Sequence, residues 1–202
     1  ATMTNDEFLS RYVFKELTED VLAECEHFSC GISDLDEYFQ KDVLAYSRRM
    51  VSRSYVFCPK EYPQKIACAF SVSYDSLRIT DLSNRKQEEF RELNDLSEKR
   101  LKRYPGILIG RLAVNQEMAH QGIGTALMNF IKMWLGHGGK AGCRFLIVDA
   151  RNAPDALTYY EKCGFTYLFP SEGIESISTR KDKAIVPQTT RLMYFDLKDS
   201  KE

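Results

Sequence analysis

Leu112-Ala113-Val114-Asn115-Gln116-Glu117-Met118-Ala119-His120-Gln121-Gly122-Ile123-Gly124-Thr125-Ala126-Leu127-Met128 is the stretch whose reading decides the fold. The apolar run Ile107 to Val114 predicts a buried strand, and Gly122 to Gly136 predicts an amphipathic helix. The first N–H groups of a helix lack intrahelical partners, and the helix dipole puts partial positive charge at the same end. Glycines at 122 and 124 let a bulky anion approach the main chain closely. Strand, glycine loop and helix together make a cradle for phosphate. The spacing is not the dinucleotide fingerprint, because Ala126-Leu127 stands where a third glycine belongs, and no Gly-Lys-Ser/Thr of a P-loop occurs. A plain turn before a helix would use the same residues, so the stretch alone leaves both readings open.

Downstream, Arg144 to Ala150 reads as a second buried strand, followed by Asn152-Ala153-Pro154-Asp155-Ala156-Leu157-Thr158-Tyr159-Tyr160-Glu161-Lys162-Cys163-Gly164-Phe165. Pro154 suits a first helical turn and Gly164 a helix end, which predicts a helix from Pro154 to Cys163. Ala156, Tyr160 and Gly164 lie four residues apart and share one face. Phe165 to Phe169 reads as a further strand, 170 to 190 as a polar loop, and Arg191 to Leu197 as the last strand.

Upstream, Arg11 to Leu17 predicts a first strand and Glu19 to His27 a short helix. Ser33 with Asp36 resembles a capping box for a longer helix, in which Leu35, Tyr38, Phe39, Val43 and Tyr46 form an apolar stripe. Ser54 to Cys58 and Lys65 to Tyr74 read as a hairpin, since the six residues between them are too few for a crossover helix. Asn84 to Arg103 is polar and reads as one or two surface helices, stopped by Tyr104-Pro105-Gly106. Strands pair directly in the first half and alternate with helices in the second. That pattern predicts an α+β or mixed-sheet α/β fold with a βαβ unit at its centre.

Composition narrows the function classes. The chain has 202 residues, 44% of them apolar, which suffices for one sizeable core, and a single domain over 1–202 is expected. Lys plus Arg is 28 against 29 for Asp plus Glu, a net charge of -1, which disfavours general coating of nucleic acid without excluding a local basic patch. The six cysteines (Cys25, Cys30, Cys58, Cys68, Cys143, Cys163) show no C-x-x-C, and the three histidines are scattered, so neither metal nor disulfides are expected. With no apolar run near the roughly 18 residues of a membrane span and no signal peptide, a reduced, cytoplasmic protein without a membrane partner is expected.

The strand Leu112-Ala113-Val114, the eight-residue step from Val114 to Gly122, Gly122-Ile123-Gly124, and Ala156-x-x-x-Tyr160-x-x-x-Gly164-Phe165 together resemble the GNAT (Gcn5-related) N-acetyltransferases. The resemblance implies a splayed, mostly antiparallel central sheet flanked by helices, holding acetyl-CoA where strands Ile107–Val114 and Arg144–Ala150 part. It implies that main chain at Leu112, Ala113 and Val114 pairs with the pantetheine arm. The pyrophosphate would sit on amides of His120, Gln121, Gly122, Ile123, Gly124 and Thr125. Tyr160 would protonate the departing thiolate, with no covalent acetyl-enzyme. Two positions depart from the family: Ala119 replaces the usual Gln or Arg, and Ala153 replaces a common Asn, leaving Asn152 as a shifted cofactor contact. Arg111, His120 and Asp149 lie near the expected site by sequence, but the acceptor's base is not legible.

Phe28-Ser29-Cys30-Gly31-x-x-x-Leu35-Asp36-x-Tyr38-Phe39, Ser52-Arg53-Ser54-Tyr55-Val56 and Gly110-Arg111-Leu112-Ala113-Val114 resemble, more narrowly, the GNAT toxins of toxin–antitoxin modules. That implies aminoacyl-tRNA as the amine-bearing acceptor, an antitoxin as partner and a homodimer as an assembly. A basic surface for such a substrate would draw on Arg48, Arg49, Arg53, Lys99, Arg100, Lys102 and Arg103. The 84–103 insertion and the 170–190 loop differ from compact toxins. The competing expectations are an acetyltransferase for some other primary amine and a non-catalytic CoA-binding module, the latter leaning on Ala119.

Overall fold

The computed structural model describes residues 2–93, 101–179 and 188–200, which fall into two compact units. The first comprises 1–73 with 109–137, the second 74–108 with 138–202.

The first unit begins with helix α1 (Asn5–Arg11), closed by a capping box in which Thr4 Oγ1 accepts from Glu7 N–H and Glu7 accepts from Thr4 N–H. Sequence reading missed this helix because its apolar content is one buried residue, Phe8, per turn. Strand β1 (Tyr12–Glu16) and helix α2 (Glu19–Glu24) follow as expected. The longer helix is interrupted: α3 (Ser33–Glu37) passes through a π-helical turn (Tyr38–Asp42) into α4 (Val43–Arg48). In that turn Val43 N–H bonds to Tyr38 C=O, which puts two successive residues, Tyr38 and Phe39, into the core. The expected Ser33/Asp36 capping box does not form. Asp36 turns outward from the helix and takes Ser29 Oγ–H and Cys30 N–H, each at 2.7 Å, fastening the preceding loop instead.

Strands β2 (Arg53–Pro59) and β3 (Cys68–Arg78) form the expected hairpin, with Phe57 opposite Cys68 and Tyr55 opposite Phe70. Strand β4 (Arg103–Val114) starts four residues earlier than the sequence suggests. Pro105 and Gly106 lie inside it rather than in a turn: Pro105 C=O accepts from Arg144 N–H at 2.8 Å, and a Cβ on Gly106 would stand 2.8 Å from Phe145 O. Glycine there serves a close strand approach, not a turn. In the first unit the strand order is β1-β2-β3-β4. Helix α6, the sixth in chain order (Ile123–Gly136), buries Ile123, Ala126, Leu127, Phe130 and Ile131. Phe130 packs at 4.9 Å from both Phe14 and Phe57, and Trp134 at 4.8 Å from Tyr55.

The second unit holds helix α5 (Asn84–Leu93), strand β5 (Phe145–Arg151), helix α7 (Pro154–Lys162), strand β6 (Thr166–Tyr167), helix α8 (Glu172–Thr179) and strand β7 (Thr190–Asp196). Its strand order is β3-β4-β5-β7-β6. Of the expected surface helices over 84–103, α5 is one; 94–100 lie outside the described residues. The expected strand Phe165–Phe169 shrinks to two residues, because Leu168 and Phe169 bend away and bury themselves as core. The expected polar loop contains α8, which the aliphatic pair Ile174/Ile177 did not reveal. The β1–β2, β2–β3, β5–β7 and β6–β7 pairs are all antiparallel, so a mixed α/β architecture with mostly antiparallel strands stands. Two ion pairs are buried in this unit. Arg144 grips Asp196 through Nε and Nη2 (2.6 and 2.8 Å), and Arg191 Nε meets Glu175 at 2.6 Å.

Candidate active site

In the first unit the anion cradle is assembled from the end of β4 onward. Ala113 is buried in the core while Leu112 and Val114 are half-buried, as strand alternation requires. Asn115 then locks the turn. Its Nδ2 donates to Ile66 C=O (2.9 Å), its N–H to Ala67 C=O (2.8 Å), and its Oδ1 accepts from Glu117 N–H (3.0 Å). Sequence reading passed over Asn115; an Asn directly after an apolar strand was the available signal. Gln116 N–H bonds to Ser29 C=O at 2.9 Å, tying this turn to the loop before α3.

The backbone then adopts two left-handed conformations, at His120 (φ 62°) and Gly122 (φ 77°). His120 is exposed and is one of two non-glycine residues with positive φ among those described, the other being Met50. Such conformations concentrate where function requires a particular main-chain shape. Gly122 is the N-cap of α6 and, being glycine, brings no capping side chain of its own. A Cβ on Gly122 would meet nothing within 4 Å, so the space beside the helix start is open. His120, Gln121, Gly122 and Thr125 are exposed, Gly124 half-exposed and Ile123 buried as the helix's anchor. These are features that suit an anion: the N-terminus of a 14-residue helix, main chain shaped by glycine, and room.

In the second unit, α7 presents Tyr160. The helix closes on Gly164 (φ 88°), with Gly164 N–H to Glu161 C=O and Phe165 N–H to Tyr160 C=O, both 3.0 Å. The Tyr160 ring lies 5.4 Å from Phe165 and 5.1 Å from Tyr159, both near edge-on. Burial pushes the Tyr160 phenol above the usual tyrosine range, and the Cys163 thiol adds to the effect. Asn152 uses its amide group within this unit: Nδ2 donates to Glu172 Oε1 (2.8 Å) and Gln188 C=O (2.9 Å), and its N–H to Thr189 C=O (3.0 Å).

The remaining candidates are accounted for as follows. Arg111 donates to Gly110 C=O at 2.8 Å and stacks its guanidinium 5.0 Å above the Tyr38 ring. The Asp149 carboxyl is raised by loss of solvation and by Asp75 and Glu175. Of the basic residues, Arg48 pairs with Glu19 at 2.8 Å, Arg49 and Arg53 are exposed in the first unit, and Lys102 and Arg103 in the second. Lys99 and Arg100 lie outside the described residues. Among the described residues no group of three His, Cys, Asp or Glu side chains could hold a metal ion, and no helix is long and apolar enough to cross a membrane.

Residues 90–167 match the acetyltransferase (GNAT) domain. The matched GNAT segment contains the cradle and the Tyr160 helix. No curated protein matches the chain in sequence. Among solved structures, AtaTR bound with AcCoA is 18% identical over 95% of this chain and 96% of that one, with a TM-score of 0.68. AtaT complexed with acetyl-methionyl-tRNAfMet is 18% identical over 93% and 95%, with a TM-score of 0.67. A Tyr-to-Phe mutant of the toxin AtaT bound to the C-terminus of the antitoxin AtaR is 18% identical over 94% and 96%, with a TM-score of 0.65. The chain shares the fold of these proteins along nearly its whole length.

Proposed function

We propose that the chain is an acetyl-CoA-dependent N-acetyltransferase that acts on a primary amine by direct attack, with Tyr160 as general acid. The observation that carries this reading is the start of α6: a 14-residue helix that opens on a left-handed glycine, inside the matched GNAT segment. The residues fit the co-substrate, because His120, Gln121, Gly122 and Thr125 are exposed at the helix start and the space beside Gly122 is open. Acetyl-CoA, when bound, supplies the activated thioester. Leu112, Ala113 and Val114 would pair with its arm, with Asn152 as a shifted contact. A phenol is protonated at neutral pH, and burial keeps Tyr160 so, which leaves it a proton to give while making it a weaker acid than an exposed tyrosine. As general acid it would give that proton to the departing thiolate. Tyr160→Phe should leave acetyl-CoA affinity, measured by calorimetry, within about twofold while turnover falls by an order of magnitude or more. Equal turnover would remove Tyr160 from the mechanism.

The fold shared with AtaT, seen with acetyl-methionyl-tRNA and with the C-terminus of an antitoxin, favours aminoacyl-tRNA as the acceptor. On that reading the chain works in the cytoplasm as a single-domain toxin, pairs with an antitoxin and assembles as a homodimer. Expression should arrest growth and acetylate charged tRNA, and Tyr160→Phe should do neither. Normal growth with unmodified tRNA would leave the acetyltransferase reading standing with another amine as acceptor.

A further inference from the structure

Arg111, near the end of β4, has no part in the proposed chemistry, yet the first unit holds its guanidinium in place. The π-helical turn buries Tyr38, and the rings of Phe39 (5.0 Å) and Tyr46 (5.2 Å) meet the Tyr38 ring edge-on. The Tyr38 hydroxyl lies 2.9 Å from Ser52 Oγ and 3.2 Å from Ser54 Oγ, which fixes the far end of the ring. On this platform the Arg111 guanidinium stacks 5.0 Å from the ring centroid, and its Nη1 donates to Gly110 C=O at 2.8 Å. Arg111 is half-buried, but among the described residues no carboxylate pairs with it. Arg144 and Arg191, sheltered in the second unit, each grip one, Asp196 and Glu175. A guanidinium carries five N–H donors in a planar fork, and a charge drawn part-way out of water without a counter-ion suits an anion that arrives with a ligand.

Two features give the class of that anion. Arg111 directly precedes Leu112, where the main chain proposed to pair with the pantetheine arm begins, so an anion held there would lie beside the reacting end of the acceptor. The Tyr38 hydroxyl bonds Ser52 on the turn from α4 to β2, and that same turn carries the exposed Arg49 and Arg53. Exposed cations linked through one ring to a sheltered third suit a chain of phosphates better than a single carboxylate. We infer that Arg111 is a specificity-determining contact that takes a phosphodiester next to the amine-bearing end of the acceptor, with Tyr38 as its positioning residue. The inference rests on charged tRNA as the acceptor and deepens that reading: Arg49 and Arg53 would meet the approaching strand, and Arg111 its last phosphates.

The test compares wild type with Arg111→Gln and Arg111→Lys, each shown to be folded by its melting curve. Filter binding of deacylated bulk tRNA over a potassium chloride series reads the contact, because losing one phosphate contact on a single strand flattens the log–log slope by about 0.7. Arg111→Gln should flatten the slope by that amount and raise the KM for aminoacylated bulk tRNA roughly ten- to a hundredfold, with kcat and calorimetric acetyl-CoA affinity within about twofold. Arg111→Lys keeps the charge and loses the fork, so the slope should hold while KM rises severalfold. An unchanged slope and KM in Arg111→Gln, or a fall in its acetyl-CoA affinity with no change of slope, would overturn the contact and leave the transferase reading intact. Should Arg111→Gln fail to fold, Arg111→Lys decides, since an unchanged KM there overturns the contact too. Wild type that acetylates another amine and binds no tRNA would overturn the tRNA reading and the contact together.

Discussion

Gly122 and Met50 occupy the same left-handed region of backbone space for different reasons. Gly122 has open space where a Cβ would go, so its requirement is conformational: φ is 77°. Gly122→Ala should strain the loop by about 1–2 kcal/mol and weaken acetyl-CoA binding roughly 5–30-fold in calorimetry, without a packing defect. Met50 (φ 59°) ends α4 in the way Gly164 ends α7, with Met50 N–H on Ser47 C=O and Val51 N–H on Tyr46 C=O, both 3.0 Å. Met50 is 92% exposed, so burial does not repay its strain. Met50→Gly should stabilise the chain by up to about 1 kcal/mol, raising the melting temperature by up to about 2–4 °C in calorimetry. Gly122 and Gly164 were legible as a helix start and a helix end because each follows or precedes an apolar helical period, whereas Tyr160 was singled out only by the resemblance to the GNAT family. His120 was legible only as a member of the loop, since nothing in a sequence shows that a histidine will turn left-handed. Asn115, occupied with main chain at Ile66, Ala67 and Glu117, offered only the turn signal of an Asn after an apolar strand.

At the scale of elements, the loop between α2 and α3 is organised by one carboxylate. Burial pushes the Asp36 carboxyl up, but the bonds from Cys30 N–H and Ser29 Oγ–H outweigh it and leave it below the ordinary range. A carboxyl depressed on folding stabilises the fold above the unfolded pKa of about 3.9, and that contribution fades as pH falls through the folded value. Asp36→Ala should therefore cost about 1–3 kcal/mol at neutral pH, with a difference from wild type that shrinks below about pH 4 in denaturant titrations. The sequence offered Asp36 as a cap because residue spacing cannot tell which backbone amides a carboxylate will reach. The same limit hid β4's early start. Pro105-Gly106 reads as punctuation, yet the glycine is demanded by Phe145 O across the strand gap, a contact remote in sequence. Element order and type were legible wherever apolar period and length agreed, as in β2, α6 and β7. They failed where short apolar pairs carried the burial, as at Leu168-Phe169 and in α8.

For the molecule as a whole, a net charge of -1 leaves any nucleic-acid binding to local cations. Arg48 is already engaged with Glu19, whereas Arg49 and Arg53 are exposed at the end of α4 and the start of β2. If charged tRNA is the acceptor, its affinity should fall log-linearly with potassium chloride. Replacing Arg49 or Arg53 by Gln should flatten that slope by about 0.7–0.9 per residue, as read from filter binding at several salt concentrations. An unchanged slope would remove these arginines from the acceptor surface.

The two units are each stitched from separate stretches of chain, and this sets an order for biosynthesis. All of the first unit, cradle included, has been translated once residue 137 is made. The second lacks β5, α7 and β7 until the chain is nearly finished. At about 5–20 residues per second, residues 138–202 take roughly 3–13 s to follow, long enough for the first unit to fold on the ribosome. Tyr160 lies 23 residues beyond residue 137, so at that rate the proposed cradle is made roughly 1–5 s before the proposed acid.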